Sequence, residues 1–356
     1  MIALVERGHE VYAISPHGDY SDKFKSDGVE HIAYEIERGS LNPFKERVFV
    51  DNIYEAIKDL ELDILHTFTA KPNIYGTFAA KRAGVPVILK LVEGLGSFYV
   101  EDSLKNRVVR FMMEKLYKKA FKLSQGVVFV NSDDPKYMLE KNIIVDDKVK
   151  IIKSVGIDTE EFSPVGVDTS LLKKSLGLKD EVVVLMVARA IWHKGVREFY
   201  GASKHFDSKK VKFILVGDID TGNHSSASEE FLLSSDVLWL GHRDDIKELT
   251  ALSDIYVLPS YREGVPRTLL EAASMAKPIV TTSTVGCREV VEDGVNGFLV
   301  PVKDVDELVK KIKLLVENPI LRESMGKEGR KKAVQEFDIK KVVRQYLKLY
   351  GEYIDV

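Results

Sequence analysis

Several features are missing from this 356-residue chain, and each absence excludes a class of protein. There is one cysteine, Cys287, so no internal disulfide can form and a reducing, cytoplasmic setting is expected. No apolar run approaches the roughly 20 residues needed to span a bilayer. The start, Met1–Glu10, is short and broken by Glu6, Arg7, His9 and Glu10, so no signal peptide is expected. Positive charge is not in excess: the formal balance is -3, which argues against nucleic acid as a partner. No strand-like run leads into Gly-x-Gly-x-x-Gly, which argues against a dehydrogenase. Internal repeats and low-complexity segments are also lacking.

What is present is the make-up of a globular protein, 45% hydrophobic and 30% charged. The length exceeds one comfortable core, so two domains are expected. Near-continuous, β-branched-rich runs recur at 10–15, 64–66, 85–91, 126–130, 182–187, 212–216, 255–258 and 278–281. Such runs suit strands covered on both faces. Helical patterns lie between them at 74–83, 244–251, 267–276 and 304–317. The alternation predicts an α/β fold with parallel sheets. A turn-rich stretch near 154–166 predicts the boundary between a domain over 1–160 and another over 161–336. A last helix within 337–356 is expected to return to the first domain.

Two stretches carry the chemistry. In the first, a strand ends near Leu258, a loop holds Glu263 and Gly264, and Pro266 sits where a helix begins, with Glu271 inside that helix. Backbone N–H groups at such a helix start, Val265 included, make an anion site that Gly264 lets a phosphate approach closely. Ionised Glu263 and Glu271 only accept hydrogen bonds, which suits sugar and ribose hydroxyls. Taken alone, two glutamates eight apart are more often a dipole partner and a solvated surface group. In the second stretch, Arg189 and Lys194 follow the run 182–187, at the carboxyl end of a strand, where open α/β sheets bind ligands. Together they could neutralise a diphosphate leaving group; singly, each is an ordinary surface cation.

The order Arg189-x4-Lys194-Gly195, Val216-Gly217-Asp218, the segment 241–245 with Arg243, and Glu263-x7-Glu271 resembles the family-4 retaining glycosyltransferases. Segments 281–291 and 293–300 are similar to that family as well. The resemblance implies a GT-B fold, two Rossmann-like domains facing across a cleft, and retaining transfer that needs no metal and no cofactor. The nucleotide-sugar donor would be held by the second domain. Arg189 and Lys194 would bind its diphosphate, Glu271 the ribose hydroxyls and Glu263 the transferred sugar. Amides near Gly264, Val265 and Pro266 would meet phosphate or sugar, and Arg243 falls in a donor-side motif. Arg267 is equally a phosphate contact or a surface residue.

In the first domain, the segment 63–76 resembles the family's acceptor-side strand and loop, and 92–98 the loop facing the donor. Many relatives have a histidine where this chain has Glu93 before Gly94, which weakens any histidine-assisted step. His66 is either a structural residue at a strand end or a cleft residue, and Lys71 could face acceptor phosphate. His193, beside Lys194, is open between the site and solvent. Relatives begin with a strand and a Gly-Gly loop, whereas this chain opens inside the helix that follows, so that strand and loop are expected to be missing. The basic segment 107–122 places Val108, Phe111, Met112, Leu116 and Ala120 at helical spacing, either for packing or for resting on an anionic membrane surface. Peripheral membrane contact would suit a lipid-linked sugar acceptor of polysaccharide or glycan assembly. The competing functions are a nucleotide-sugar epimerase of the same fold and a non-catalytic nucleotide-sugar binder.

Overall fold

The computed structural model describes residues 1–18, 20–35, 42–223 and 225–355. The chain forms two compact units, Met1–Ile152 together with Val343–Val356, and Lys153–Val342.

In the first unit, strands β1 (Tyr12–Ser15) and β2 (Glu30–Ala33) pair in parallel as a separate two-stranded sheet. A four-stranded parallel sheet follows, in the order β3 (Ile64–Phe68), β4 (Val87–Val92), β5 (Gly126–Phe129), β6 (Val149–Ile151). All four residues of β5 are buried, which is why its run is apolar without alternation. Helix α1 (Pro43–Ile57) starts where the Asn42 side chain accepts a hydrogen bond from the Phe44 amide. Helix α2 (Leu104–Leu123) starts in the same manner, with Ser103 accepting from the Asn106 amide.

The helical pattern at 74–83 forms in two pieces, a π-helical turn over Pro72–Gly76 and an α-helix over Thr77–Arg82. The wide turn coincides with a buried polar knot. The Asn73 carbonyl accepts from Lys90 Nζ at 2.9 Å and from Thr77 Oγ1 at 2.8 Å. Meanwhile the Asn73 amide group donates to the Leu91 carbonyl at 2.7 Å. Insertion of side chains into the helical ladder is a known cause of such turns. Burial lowers the pKa of Lys90 to about 7.

The second unit holds β7 (Val182–Val187), β8 (Val211–Val216), β9 (Leu238–Trp239), β10 (Ile255–Leu258), β11 (Ile279–Thr282) and β12 (Gly297–Val300). All are parallel, in the spatial order β12-β11-β10-β7-β8-β9. From β7 the chain winds outward one way to β9, then returns to the other side of β7 with β10. The helices that matter below are α3 (Val196–Ser203), α4 (Arg267–Ser274), α5 (Val305–Glu317) and α6 (Ile339–Tyr350). Buried residues of this sheet, α3, α4 and α5 form one continuous apolar core.

The units divide at Ile152 and Val342, rather than at 160 and 336. Residues just past Ile152 are tied to the second unit by backbone: the Ile157 amide donates to Phe337 and the Ile339 amide donates to Ile157, both at 2.9 Å. Helix α6 starts in the second unit, and from Val343 its residues count with the first. There Tyr350 Oη lies 2.7 Å from His66 Nδ1, and Lys150 pairs with Glu352 at 2.9 Å.

Candidate active site

In the second unit the winding direction reverses between β7 and β10. In open α/β sheets the crevice at the carboxyl ends of such a strand pair is where ligands bind. The loop after β7 carries Arg189 and Lys194, and the loop after β10 carries Glu263, Gly264, Val265 and Pro266. Topology therefore brings together two segments some 70 positions apart.

Backbone hydrogen bonds hold the first loop. Past Val187, the Ala188 amide donates to Val216 and the Ala190 amide to Asp218, both at 2.9 Å, so the β7–β8 ladder runs on into the loop. The loop is also clamped to its neighbour, since the His193 carbonyl accepts from the Tyr261 amide at 2.9 Å and from Ser260 Oγ at 3.1 Å. Gly195, at φ +82°, turns the chain into α3, and a Cβ there would sit 2.1 Å from the Pro259 carbonyl oxygen. Only glycine lets the two loops come this close.

Across this contact Lys194 Nζ donates to Glu263 Oε1 at 2.6 Å, with side chains 21% and 11% exposed. Ser260 Oγ donates to the same oxygen at 2.6 Å. The Glu263 loop is pressed from its far side by the loop after β11. A Cβ on Gly286, at φ +78°, would lie 1.9 Å from the Gly264 carbonyl oxygen.

Pro266 is the N-cap residue of α4 and offers no side-chain acceptor to the first-turn amides. A helix start of this kind favours an anion. Glu271 is buried within α4, and its Oε1 accepts from Arg267 Nε at 3.0 Å. Burial raises its carboxyl above the ordinary value, with Arg267 pulling the other way. Beside these residues Cys287 is fully buried, and burial pushes its thiol up to about 12, which keeps it out of thiolate chemistry.

The predicted donor-side residues thus meet carboxylates individually. Lys194 meets Glu263. Arg189 instead reaches Asp220, in the loop after β8, at 2.6 Å, and its side chain is 63% exposed. Arg243, after β9, is held by both oxygens of Asp245 rather than by any of the others. Arg267 belongs with Glu271. Ser260 and Asp220 escaped sequence reading: a serine and an aspartate in loops carry no periodic signal, and only the pairing reveals them.

In the first unit the candidates separate. His66 is enclosed by Phe68, Tyr346 and Tyr350, with Phe68 stacked on it at 4.7 Å between ring centroids. Burial lowers its pKa to about 4, so it is a neutral ring packed under α6, which favours the structural alternative over an open cleft residue. Lys71 is ion-paired to Glu46 of α1 at 2.5 Å. Glu93 is exposed just past the end of β4, followed by Gly94.

Helix α2 has two apolar faces rather than one. Leu116 and Ala120 face inward with Val109, Tyr117 and Phe121, whereas Leu104, Val108, Phe111 and Met112 are 80%, 52%, 59% and 47% exposed. At about 100° per residue, Lys115, Lys119 and Lys122 continue the same outer arc beyond Met112. Among the described residues no helix is long and apolar enough to cross a membrane, and no group of three or more His, Cys, Asp or Glu could hold a metal ion.

Residues 168–332 match the family of glycosyl transferases group 1, and residues 2–131 match a glycosyl transferase 4-like family. The chain is 40% identical over 359 residues to the N,N'-diacetylbacillosaminyl-diphospho-undecaprenol alpha-1,3-N-acetylgalactosaminyltransferase of Campylobacter jejuni, covering 99% of this chain and 93% of that protein. It is 28% identical to the UDP-Gal:alpha-D-GlcNAc-diphosphoundecaprenol alpha-1,3-galactosyltransferase of Escherichia coli, over 95% of this chain and 87% of the relative. Among solved structures, a Rickettsia africae glycosyltransferase superposes with a TM-score of 0.82 at 22% identity, covering 99% of this chain and 93% of the other. Anabaena HepE, solved in complex with UDP-glucose, superposes with a TM-score of 0.79 at 22% identity, covering 99% and 94%.

Proposed function

This chain belongs to the group 1 glycosyltransferases of GT-B fold, and from that premise we propose the chemistry of its site. The enzyme transfers a hexosyl or N-acetylhexosaminyl group, with retention, from a nucleotide diphosphate sugar to a hydroxyl of a sugar carried on a polyprenyl diphosphate. The relatives support this acceptor class, because the Campylobacter and Escherichia coli enzymes are both named for diphospho-undecaprenol acceptors and both make alpha-1,3 linkages.

One observation carries the site assignment: Lys194 and Glu263 meet at 2.6 Å at the switch point of the second sheet. In the proposed complex the donor diphosphate competes with Glu263 for Lys194, and the transferred sugar gives Glu263 a hydroxyl in exchange. Arg189 and the uncapped start of α4, at Val265 and Pro266, face the same anion. Gly264 keeps that backbone approachable, and Glu271 accepts from the ribose hydroxyls. Arg243 contributes on the donor side through the loop after β9. As the bond to the nucleotide breaks, negative charge builds on the diphosphate and these donors stabilise it. The acceptor hydroxyl attacks from the face the nucleotide leaves, and a diphosphate oxygen takes its proton.

Membrane contact belongs to the same reading. The outer arc of α2 has apolar residues at its N-terminal half and lysines at its C-terminal half, an arrangement suited to anionic lipid.

The function is tested by offering UDP-, GDP- and ADP-sugars to the protein in a thermal-shift screen, since a specific donor raises apparent stability by mass action. The stabilising donor is then incubated with a membrane lipid extract. Transfer into the lipid fraction with an α-linked product supports the reading. Conversion of donor without acceptor would indicate an epimerase, and binding without turnover a non-catalytic binder.

A further inference from the structure

Within the loop after β10, Tyr261 follows Ser260 and lies two residues before Glu263. Its amide donates to the His193 carbonyl at 2.9 Å, and its carbonyl accepts from Thr284 Oγ1 at 3.0 Å. The side chain reaches α3, where Tyr261 Oη donates to Glu198 Oε1 at 2.8 Å. Lys303, past the end of β12, sets its Nζ 4.8 Å from the centroid of the tyrosine ring. One residue thus ties the Glu263 loop to α3 and to the loops after β7, β11 and β12.

Glu198 is the unusual partner. It is 7% exposed, in the first turn of α3, and its Oε2 is buried with no hydrogen-bond partner among the described residues. The helix start makes a carboxylate tolerable there. Burying one is nonetheless costly, and the hydroxyl of Tyr261 offsets only part of that cost. An apolar side chain could be buried at this position without it, as Val196, Phe199 and Tyr200 of the same helix are. The carboxylate is better explained by what it holds. Glu263 stands so close along the chain that a swing of Tyr261 would carry it out of place, and a shift of about 1 Å in a reacting geometry can cost about 10²-fold in rate.

We propose that Glu198 and Tyr261 are positioning residues of the transfer reaction. Their hydrogen bond fixes the loop after β10, so that Glu263 meets the sugar hydroxyl in the geometry that transfer needs. The assignment rests on the reading of Glu263 as the residue that holds the transferred sugar. The nucleoside diphosphate, in the same reading, is held by other groups.

The test uses the whole chain. UDP, GDP and ADP are offered by calorimetry, and the one that the wild type binds is carried to the variants. Transfer from the matching nucleotide-sugar into the lipid fraction is timed at saturating donor, at a temperature where each variant is folded. Tyr261→Phe keeps the ring and loses only the hydroxyl, and it should lower kcat about tenfold to a hundredfold. Glu198→Ala should act in the same way. Glu198→Gln keeps an acceptor oxygen in place and should be faster than Glu198→Ala by about threefold or more. Affinity for the nucleoside diphosphate should stay within about twofold throughout, because the lost interaction acts on the sugar in the transition state. The double variant Glu198→Ala, Tyr261→Phe should be no slower than the slower single variant, since both act through one bond. Wild-type kcat in Tyr261→Phe, losses that multiply in the double variant, or nucleoside diphosphate affinity falling in step with kcat overturns the positioning role and leaves the transferase reading intact. A wild type that transfers no sugar removes that reading, and this assignment with it.

Discussion

Glu263 Oε1 accepts two hydrogen bonds, from Lys194 Nζ and from Ser260 Oγ, each at 2.6 Å. In the proposed mechanism the donor diphosphate displaces this carboxylate from the cation. Lys194→Ala should lower kcat at saturating donor by about 10²–10³-fold, the usual cost of losing one preorganised group that meets developing charge. The substitution also leaves Glu263, 11% exposed, without its cation, so the melting temperature should fall by several degrees and kcat is read at a temperature where the variant is folded. Turnover equal to wild type would refute the proposed leaving-group role.

Glu271 should show a conflict between stability and binding. Burial raises its carboxyl above the ordinary 4.5, so the folded protein holds this proton more tightly than the unfolded chain. The sign follows by linkage: the stabilising contribution is full below about pH 4.5 and is lost as pH rises through the folded value. Glu271→Gln removes that loss. Relative to wild type, the variant should gain stability between pH 4 and 7 in urea titrations, while its KM for donor rises about tenfold. A variant with unchanged KM would disconnect Glu271 from the ribose.

His66 predicts the opposite acid behaviour. Its folded pKa of about 4 lies below the ordinary 6.5, so its contribution is present above pH 6.5 and is lost as pH falls through about 4. The full effect is on the order of 3 kcal/mol. Carbon-detected NMR should show a neutral ring at pH 5.5, and in His66→Gln the acid loss of stability should be smaller. An imidazolium at that pH would contradict the packed position against Tyr350.

Helix α2 supplies a membrane prediction. The double variant Phe111→Asp, Met112→Asp should reduce co-sedimentation with phosphatidylglycerol vesicles about tenfold or more, since two apolar side chains leave the interface. Both positions are exposed, at 59% and 47%, so melting should change by no more than about 2 °C. Binding should also weaken at high salt, because the lysines of the same arc act through a screened attraction. Equal binding of wild type and variant would remove this helix from the membrane.

Much of the second unit was legible in the sequence because its signals are local. Val182–Val187 and Ile255–Leu258 form strands over the very ranges that their apolar runs mark, since a parallel strand covered on both faces needs an unbroken run. The short strand Leu238–Trp239 left no such mark, as two residues cannot establish a pattern. Helix α2 was half legible. Its spacing announced an amphipathic helix, but which apolar residues turned inward depended on the partners available to Val109, Tyr117 and Phe121.

By itself the sequence determined the strand–helix alternation and the identity of the charged groups, because these follow from periodicity and residue chemistry along a few neighbours. Only the tertiary structure decided which charges meet. Lys194 finds Glu263, Arg189 finds Asp220 and Glu46 finds Lys71 because parallel winding brings together segments whose separation along the chain carries no trace of their separation in space. An ion pair needs only proximity and opposite sign, and proximity is a property of the fold.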